Sequence, residues 1–189
     1  MTVCAVTRDM TSSPDTWLAE LHVRHEIHEV LVRYCRGADR CDAALMKSCF
    51  HENAWDDHGF FSGPAGEFVE QAARNLRERF VATRHHMTNE SVVLNGDRAK
   101  SETYILAVCR RVIDGETFDV TFQARYLDQF ECRGGTWKIV HRLLVSDGGR
   151  VDKVIQEDSR LSQGRVGARG ADDPSYGFFE LTPRVGRTT

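Results

Sequence analysis

The stretch Thr83-Arg84-His85-His86-Met87-Thr88-Asn89 sets two adjacent imidazoles and a carboxamide at the point where the chain turns strand-like. Side chains alternate across a strand, so His85, Met87 and Asn89 share one face and Arg84, His86 and Thr88 the other. Only one of the two histidines can then look into a pocket. His85 is the expected chemical residue, with a structural histidine hydrogen-bonded in the sheet as its alternative; His86 is expected at an interface or the surface. An imidazole with an ordinary pKa near ~6.5 is the natural proton carrier at neutral pH, so the chemistry suggested is proton transfer.

Other clusters read more plainly. His22, His25 and His28 lie opposite an apolar stripe and lack a carboxylate or thiol at ligand spacing, which suits a solvated face rather than a metal site. His58, after Asp56 and Asp57, reads as part of a loop turn. The six cysteines (4, 35, 41, 49, 109 and 132) form no CxxC pair and no zinc spacing. Free thiols in a reducing compartment are expected. The glycine pairs are turns and form no dinucleotide loop. No metal and no cofactor is therefore expected.

The elements that must position these residues follow from periodicity. Residues 1–14 read as a flexible leader, and a helix is predicted from about Asp15 or Thr16. Its stripe Ile27, Val30, Leu31, Tyr34 and Cys35 has helical spacing, and Gly37 is expected to end it. A shorter helix is predicted over 43–50, a strand and turn over 53–61, and a third helix over 65–81. From residue 83 the period becomes two, with strands predicted over 84–94, 99–112, 117–131 and 136–146. Asn95-Gly96-Asp97, Asp114-Gly115 and Gly134-Gly135 mark the reversals. The order predicts an α+β domain over 15–148, with helices covering one face of a curved antiparallel sheet. Residues 149–189 are expected to hold a further helix, 151–161, and a tail whose patch Ser175-Tyr176-Gly177-Phe178-Phe179 docks on its own domain or on a neighbouring subunit.

With 189 residues, 41% apolar, 28% charged and a formal net charge of −3, the composition is that of an ordinary globular chain. No basic cluster is dense enough to track phosphates, so nucleic acid is not an expected partner. No apolar run approaches the roughly 18 residues of a membrane span, and the first residues lack the apolar core of a signal peptide. A cytoplasmic location is expected.

Five segments in order carry a family resemblance: Tyr34-Cys-Arg-Gly-Ala-Asp39-Arg-Cys-Asp42, Trp55-Asp-Asp-His-Gly59, Thr83 to Asn89, Arg125-Tyr-Leu-Asp128, and Gly135-Thr-Trp137-Lys-Ile-Val-His-Arg142. Over about residues 17–147 the chain resembles the SnoaL-like branch of the NTF2-like superfamily, whose relatives include scytalone dehydratase, bile-acid 7α-dehydratase and the polyketide cyclases. The resemblance implies a cone: a strongly bent antiparallel sheet around a pocket that helices close. It implies an Asp at the end of the first helix and a His on the strand opening the meander, here Asp39 and His85, as a catalytic pair. Tyr34 matches a Tyr five residues before that Asp in the bile-acid enzyme, whereas the lindane dehydrochlorinase has a Lys there. Arg142 matches an Arg placed in the pocket of several members, and Trp55, His58 and Asn89 join it as expected substrate contacts. Gly148 stands where many relatives have a Trp.

Those residues suit elimination. His85 would move the proton, Asp39 would fix its tautomer, and Tyr34 would hydrogen-bond a substrate carbonyl. Asp39 equally suits a cap for the following helix, Tyr34 a core position, and Arg142 a surface ion pair. The expected function is a cofactor-independent lyase, dehydratase-like, acting on a small apolar ring compound such as a steroid, polyketide or terpenoid. A non-catalytic scaffold like the β subunits of ring-hydroxylating dioxygenases is the alternative, as is an isomerase or cyclase using the same pocket. The resemblance also implies a homotrimer or homodimer.

Overall fold

The computed structural model describes residues 14–155 and 164–179. Helix α1 (Pro14–Arg40) leads into α2 (Ala43–Ser48), and a β1–β2 hairpin (Phe50–Asp57, Ser62–Pro64) into α3 (Ala65–Arg79). Four long strands follow: β3 (Ala82–Asn95), β4 (Arg98–Ile113), β5 (Glu116–Arg133) and β6 (Thr136–Lys153). A 3-10 turn (Gly170–Asp172) and α4 (Pro174–Phe179) come last. The six strands form one curved, unclosed sheet in the order β2-β1-β6-β5-β4-β3. The long strands are antiparallel, but β1 runs parallel to β6, so the sheet is mixed rather than wholly antiparallel.

The apolar stripe of α1 explains where that helix lies. Ile27, Val30, Leu31, Tyr34, Cys35 and Ala38 are buried against the sheet. Fully burying Ile27 or Leu31 is worth roughly 1.5–3 kcal/mol each. The helix runs antiparallel along β3. Arg24 donates to the Val92 carbonyl (2.7 Å), His28 meets Glu90 (2.7 Å), and the Asp39 carbonyl accepts from the Thr83 hydroxyl (3.4 Å). The last turn of α1 is thereby delivered to the first residues of β3. The solvated side of the helix is what its composition suggests, with His22 beside Glu26 at 3.7 Å.

Gly37 does not end α1, which continues to Arg40. Its need is steric: a Cβ there would lie 2.7 Å from Met46 Cγ and 2.9 Å from Met46 N, so glycine lets α2 pack against α1. The reversal comes at Cys41, with φ 51°, and Asp42 caps α2 through Leu45 N–H at 2.9 Å. Asp39 is not that cap.

The hairpins β4–β5 and β5–β6 turn on Asp114-Gly115 (φ 51° and 79°) and Gly134-Gly135 (φ 58° and 78°). Two left-handed residues in succession are what a two-residue hairpin loop demands, and Asp and Gly tolerate it. The strands outrun their sequence limits. β6 passes through Gly148 and Gly149 to Lys153, so residues 151–153 are strand, and the rest of the expected helix largely falls outside the described residues. Gly149 is needed within that strand, because a Cβ would lie 2.5 Å from the Thr121 carbonyl oxygen.

The described part of the tail returns to the helices. Tyr176 donates to Asp42 (2.8 Å) and lies under the Arg36 guanidinium, 4.8 Å from its ring centroid. Arg169 donates to the Phe80 carbonyl at 3.0 Å and contacts Cys41 Sγ. The aromatic patch thus lies on its own domain's α1, while Phe178 stays exposed.

Candidate active site

The antiparallel run of α1 along β3 brings Asp39 to His85. The Asp39 carboxylate accepts from His85 Nδ1 at 2.6 Å and from the His85 backbone N–H at 3.0 Å to each oxygen. Both side chains are largely buried, at 11% and 15% exposure. With Nδ1 held by the carboxylate, Nε2 is left for whatever occupies the adjoining space. That space is a cavity of about 470 Å³ between α1, α3 and the concave face of the sheet, and His85, Tyr34, Tyr126, Ile105 and Leu144 are among its walls.

Tyr34 sits on the apolar stripe and at the cavity wall together. Burial pushes its phenol well above the ordinary value, while Arg142 pulls the other way. It stays a neutral O–H donor. Tyr126 is shifted in the same direction, again chiefly by burial. Cys109, also at the wall, is pushed up to about 12 by burial and by the Asp39 charge, so it is a thiol and not a nucleophilic thiolate.

Arg142 lies beneath the cavity rather than in its lining. It is fully buried, donates twice to Asp128 at 2.8 Å, and is sandwiched by the Tyr34 and Tyr126 rings at 4.1 and 3.8 Å from their centroids. Burial opposes its charge, but Asp128 outweighs burial and holds the guanidinium charged. It is a buried ion pair against the two tyrosines and not a surface one.

Trp55 also lies away from the cavity, 47% exposed, with its indole N–H donating to Ser62 at 3.1 Å. Asn89 is exposed because strand pairing slips between Met87 and Glu90, an extra residue in β3. The bulge turns Asn89 out and brings Glu90 and Val92 round to the inner side. His86 faces out too, at 3.2 Å from the Leu106 carbonyl.

His58 does line the cavity, stacked on Phe68 with centroids 4.0 Å apart. Its Nδ1 is bonded to Asp56, which is completely buried and which the sequence analysis places in a strand and turn without a site role. The signal was available, since Asp56 and His58 are two apart at a strand end and share a face. Gln71, Asn75 and Arg79, four apart on α3, add polar side chains to the cavity lining, and their helical spacing was the signal that could have singled them out. Among the described residues no three His, Cys, Asp or Glu side chains converge as a metal-ligand set. Among them, too, no helix is long and apolar enough to cross a membrane.

Comparison with known proteins agrees with this architecture. Three solved structures illustrate it. A candidate scytalone dehydratase from Novosphingobium aromaticivorans superposes with a TM-score of 0.63 at 19% identity, covering 73% of this chain and 91% of that one. A hexachlorocyclohexane dehydrochlorinase from Novosphingobium barchaimii gives 0.63 at 17% identity, covering 74% and 95%. An NTF2-like superfamily protein from Salmonella enterica gives 0.59 at 18% identity, covering 68% and 94%. At these identities the likeness is one of fold. A comparison with curated proteins gives no match. The SnoaL-like domain family matches residues 19–143, most of the chain and every element from α1 to β6, and the chain belongs to that family.

Proposed function

We propose that this protein is a dehydratase-type lyase that removes water from a small apolar cyclic β-hydroxy ketone of steroid, polyketide or terpenoid type, with no cofactor. The observation that carries this reading is the Asp39–His85 pair, 2.6 Å apart, at the wall of a largely apolar cavity of about 470 Å³. A cavity of that size suits a compound of a few fused rings. The two Novosphingobium structures are named for eliminations, of water and of hydrogen chloride, which supports the same reaction class.

His85 Nε2 takes the proton from the carbon next to the ketone. Asp39 holds Nδ1–H and stabilises the imidazolium that forms, an orienting role that costs orders of magnitude when lost in other enzymes. The neutral Tyr34 phenol donates to the ketone oxygen, where negative charge develops. Water then leaves from the β-carbon. A dioxygenase-type scaffold has no use for an open cavity, so the cavity favours the lyase. Assembly as a dimer or trimer belongs to the same proposal: the convex face exposes Val93, Tyr104 and Leu143.

Turnover of a panel of cyclic β-hydroxy ketones, followed by enone absorbance, tests the reading. His85→Ala is expected to lower the rate by about 10²-fold or more with the fold retained. A variant as active as wild type would contradict it.

A further inference from the structure

We infer that His58 is a second catalytic residue, the acid that protonates the departing hydroxyl while His85 removes the carbon-bound proton. The inference rests on the lyase reading and divides its two proton transfers between two histidines. His58 and His85 line the same cavity. Each has Nδ1 engaged by its own aspartate, which leaves Nε2 for the substrate. Stacking on Phe68 fixes the His58 ring at 4.0 Å and an interplanar angle of 24°. The side chain is only 9% exposed, so this is a held ring and not a surface histidine.

The two carboxylates differ in how they are supplied with donors. Asp39 accepts the His85 backbone N–H on both oxygens as well as Nδ1, so backbone and ring hold it together. Asp56 is 0% exposed, and its Oδ2 has no hydrogen-bond partner among the described residues. The His58 ring is the one donor the structure gives its Oδ1 among the described residues. A buried carboxylate so poorly supplied depends on that ring for its hydrogen bonding, which keeps His58 Nδ1 on Asp56 and fixes how the ring is turned. With His85 as the base that removes the carbon-bound proton, His58 is the second imidazole on the cavity wall that can pass a proton to the departing hydroxyl.

The step balances without any other reactant. His85 Nε2 takes the proton from the α-carbon, and that C–H pair becomes the new carbon–carbon double bond. The β-carbon–oxygen bond breaks with its pair going to oxygen, which takes a proton from His58 Nε2 and leaves as water. His85 then carries one proton more and His58 one fewer, and exchange with solvent resets both.

A matched pair of substrates tests this: a phenyl-substituted cyclohexanone with a β-hydroxyl, and the same ketone with para-nitrophenoxide in place of the hydroxyl. Nitrophenoxide departs without being protonated, so it needs the base and not the acid. His58→Gln is expected to slow the hydroxy ketone by about 10²-fold or more and to leave the nitrophenoxy ketone near the wild-type rate. His85→Gln is expected to slow both. Because His58→Gln leaves Asp56 without its ring partner, Asp56→Asn/His58→Gln is measured beside it, with circular dichroism as the check on folding, and should show the same split. A His58 variant that slows both ketones equally, or neither, overturns the inference while the His85 result leaves the lyase reading standing. If His85→Gln leaves both rates unchanged, or the wild type turns over neither ketone, the lyase reading fails and this inference with it.

Discussion

Asp39 touches His85 three times, twice through the backbone amide, so it fixes where β3 begins as well as how the ring is turned. Asp39→Asn keeps an acceptor for the amide but loses the charge that supports an imidazolium. It is expected to lower kcat by about 10²-fold or more with KM little changed, which steady-state kinetics on an active β-hydroxy ketone would show. An equal rise in KM with kcat intact would mean that Asp39 only shapes the pocket. At this scale the sequence was legible where a single period held. Alternation over 83–87 sets His85 and Met87 on one face, and helical spacing carries Tyr34 and Asp39 to the same end of α1. It was not legible at Asn89, where one extra residue in β3 inverts the alternation, nor at Arg142, whose partner Asp128 comes from the neighbouring strand.

At the scale of elements, two devices hold the cavity walls. The Arg142–Asp128 pair ties β6 to β5 beneath Tyr34 and Tyr126, with both side chains at 0% exposure. Removing one partner of a buried pair leaves an uncompensated charge, so Arg142→Met is expected to cost about 3–5 kcal/mol by urea denaturation, and Arg142→Met/Asp128→Leu distinctly less. The second device is the docked tail. The Ser175 hydroxyl, chiefly, holds the Asp173 carboxyl well below the ordinary range against the opposing effect of burial; the Ala168 and Ser175 amides and Arg40, at 3.2 Å, add to it. A lowered carboxylate contributes its full stability above the ordinary value near ~3.9 and loses it only as pH falls through the depressed value. The amides of Ala168 and Ser175 should therefore stay protected from hydrogen exchange through mild acid, and Asp173→Asn should expose them at neutral pH. Loss of protection between about pH 5 and 6 in the wild type would contradict this. The aromatic patch signalled docking in the sequence, but nothing local could show that Arg36, Cys41 and Asp42 receive the tail.

Over the whole molecule, a helix and a strand 46 residues apart in sequence at Asp39 and His85 are joined because α1 lies lengthwise on β3. The order of helices before strands, and the switch from helical period to period two, made that α+β arrangement readable. The parallel placement of β1 on β6 was not, since it depends on where α3 carries the chain after β2. Close helix packing is part of the same frame. Gly37→Ala, although favourable to an isolated helix, is expected to destabilise the fold by about 1–3 kcal/mol, because the new methyl meets Met46 across the α1–α2 contact. A thermal melt at or above the wild-type temperature would contradict that. All of this frame serves one claim, that Asp39 and His85 together remove a carbon-bound proton inside the cavity. The most direct measurement is the exchange of α-protons for deuterium in a cyclic ketone that lacks any leaving group, followed by NMR in heavy water with wild type and His85→Gln. Exchange catalysed by the wild type and slowed about 10²-fold or more in the variant is the expected result. Equal exchange by both proteins, or none by either, would contradict the claim.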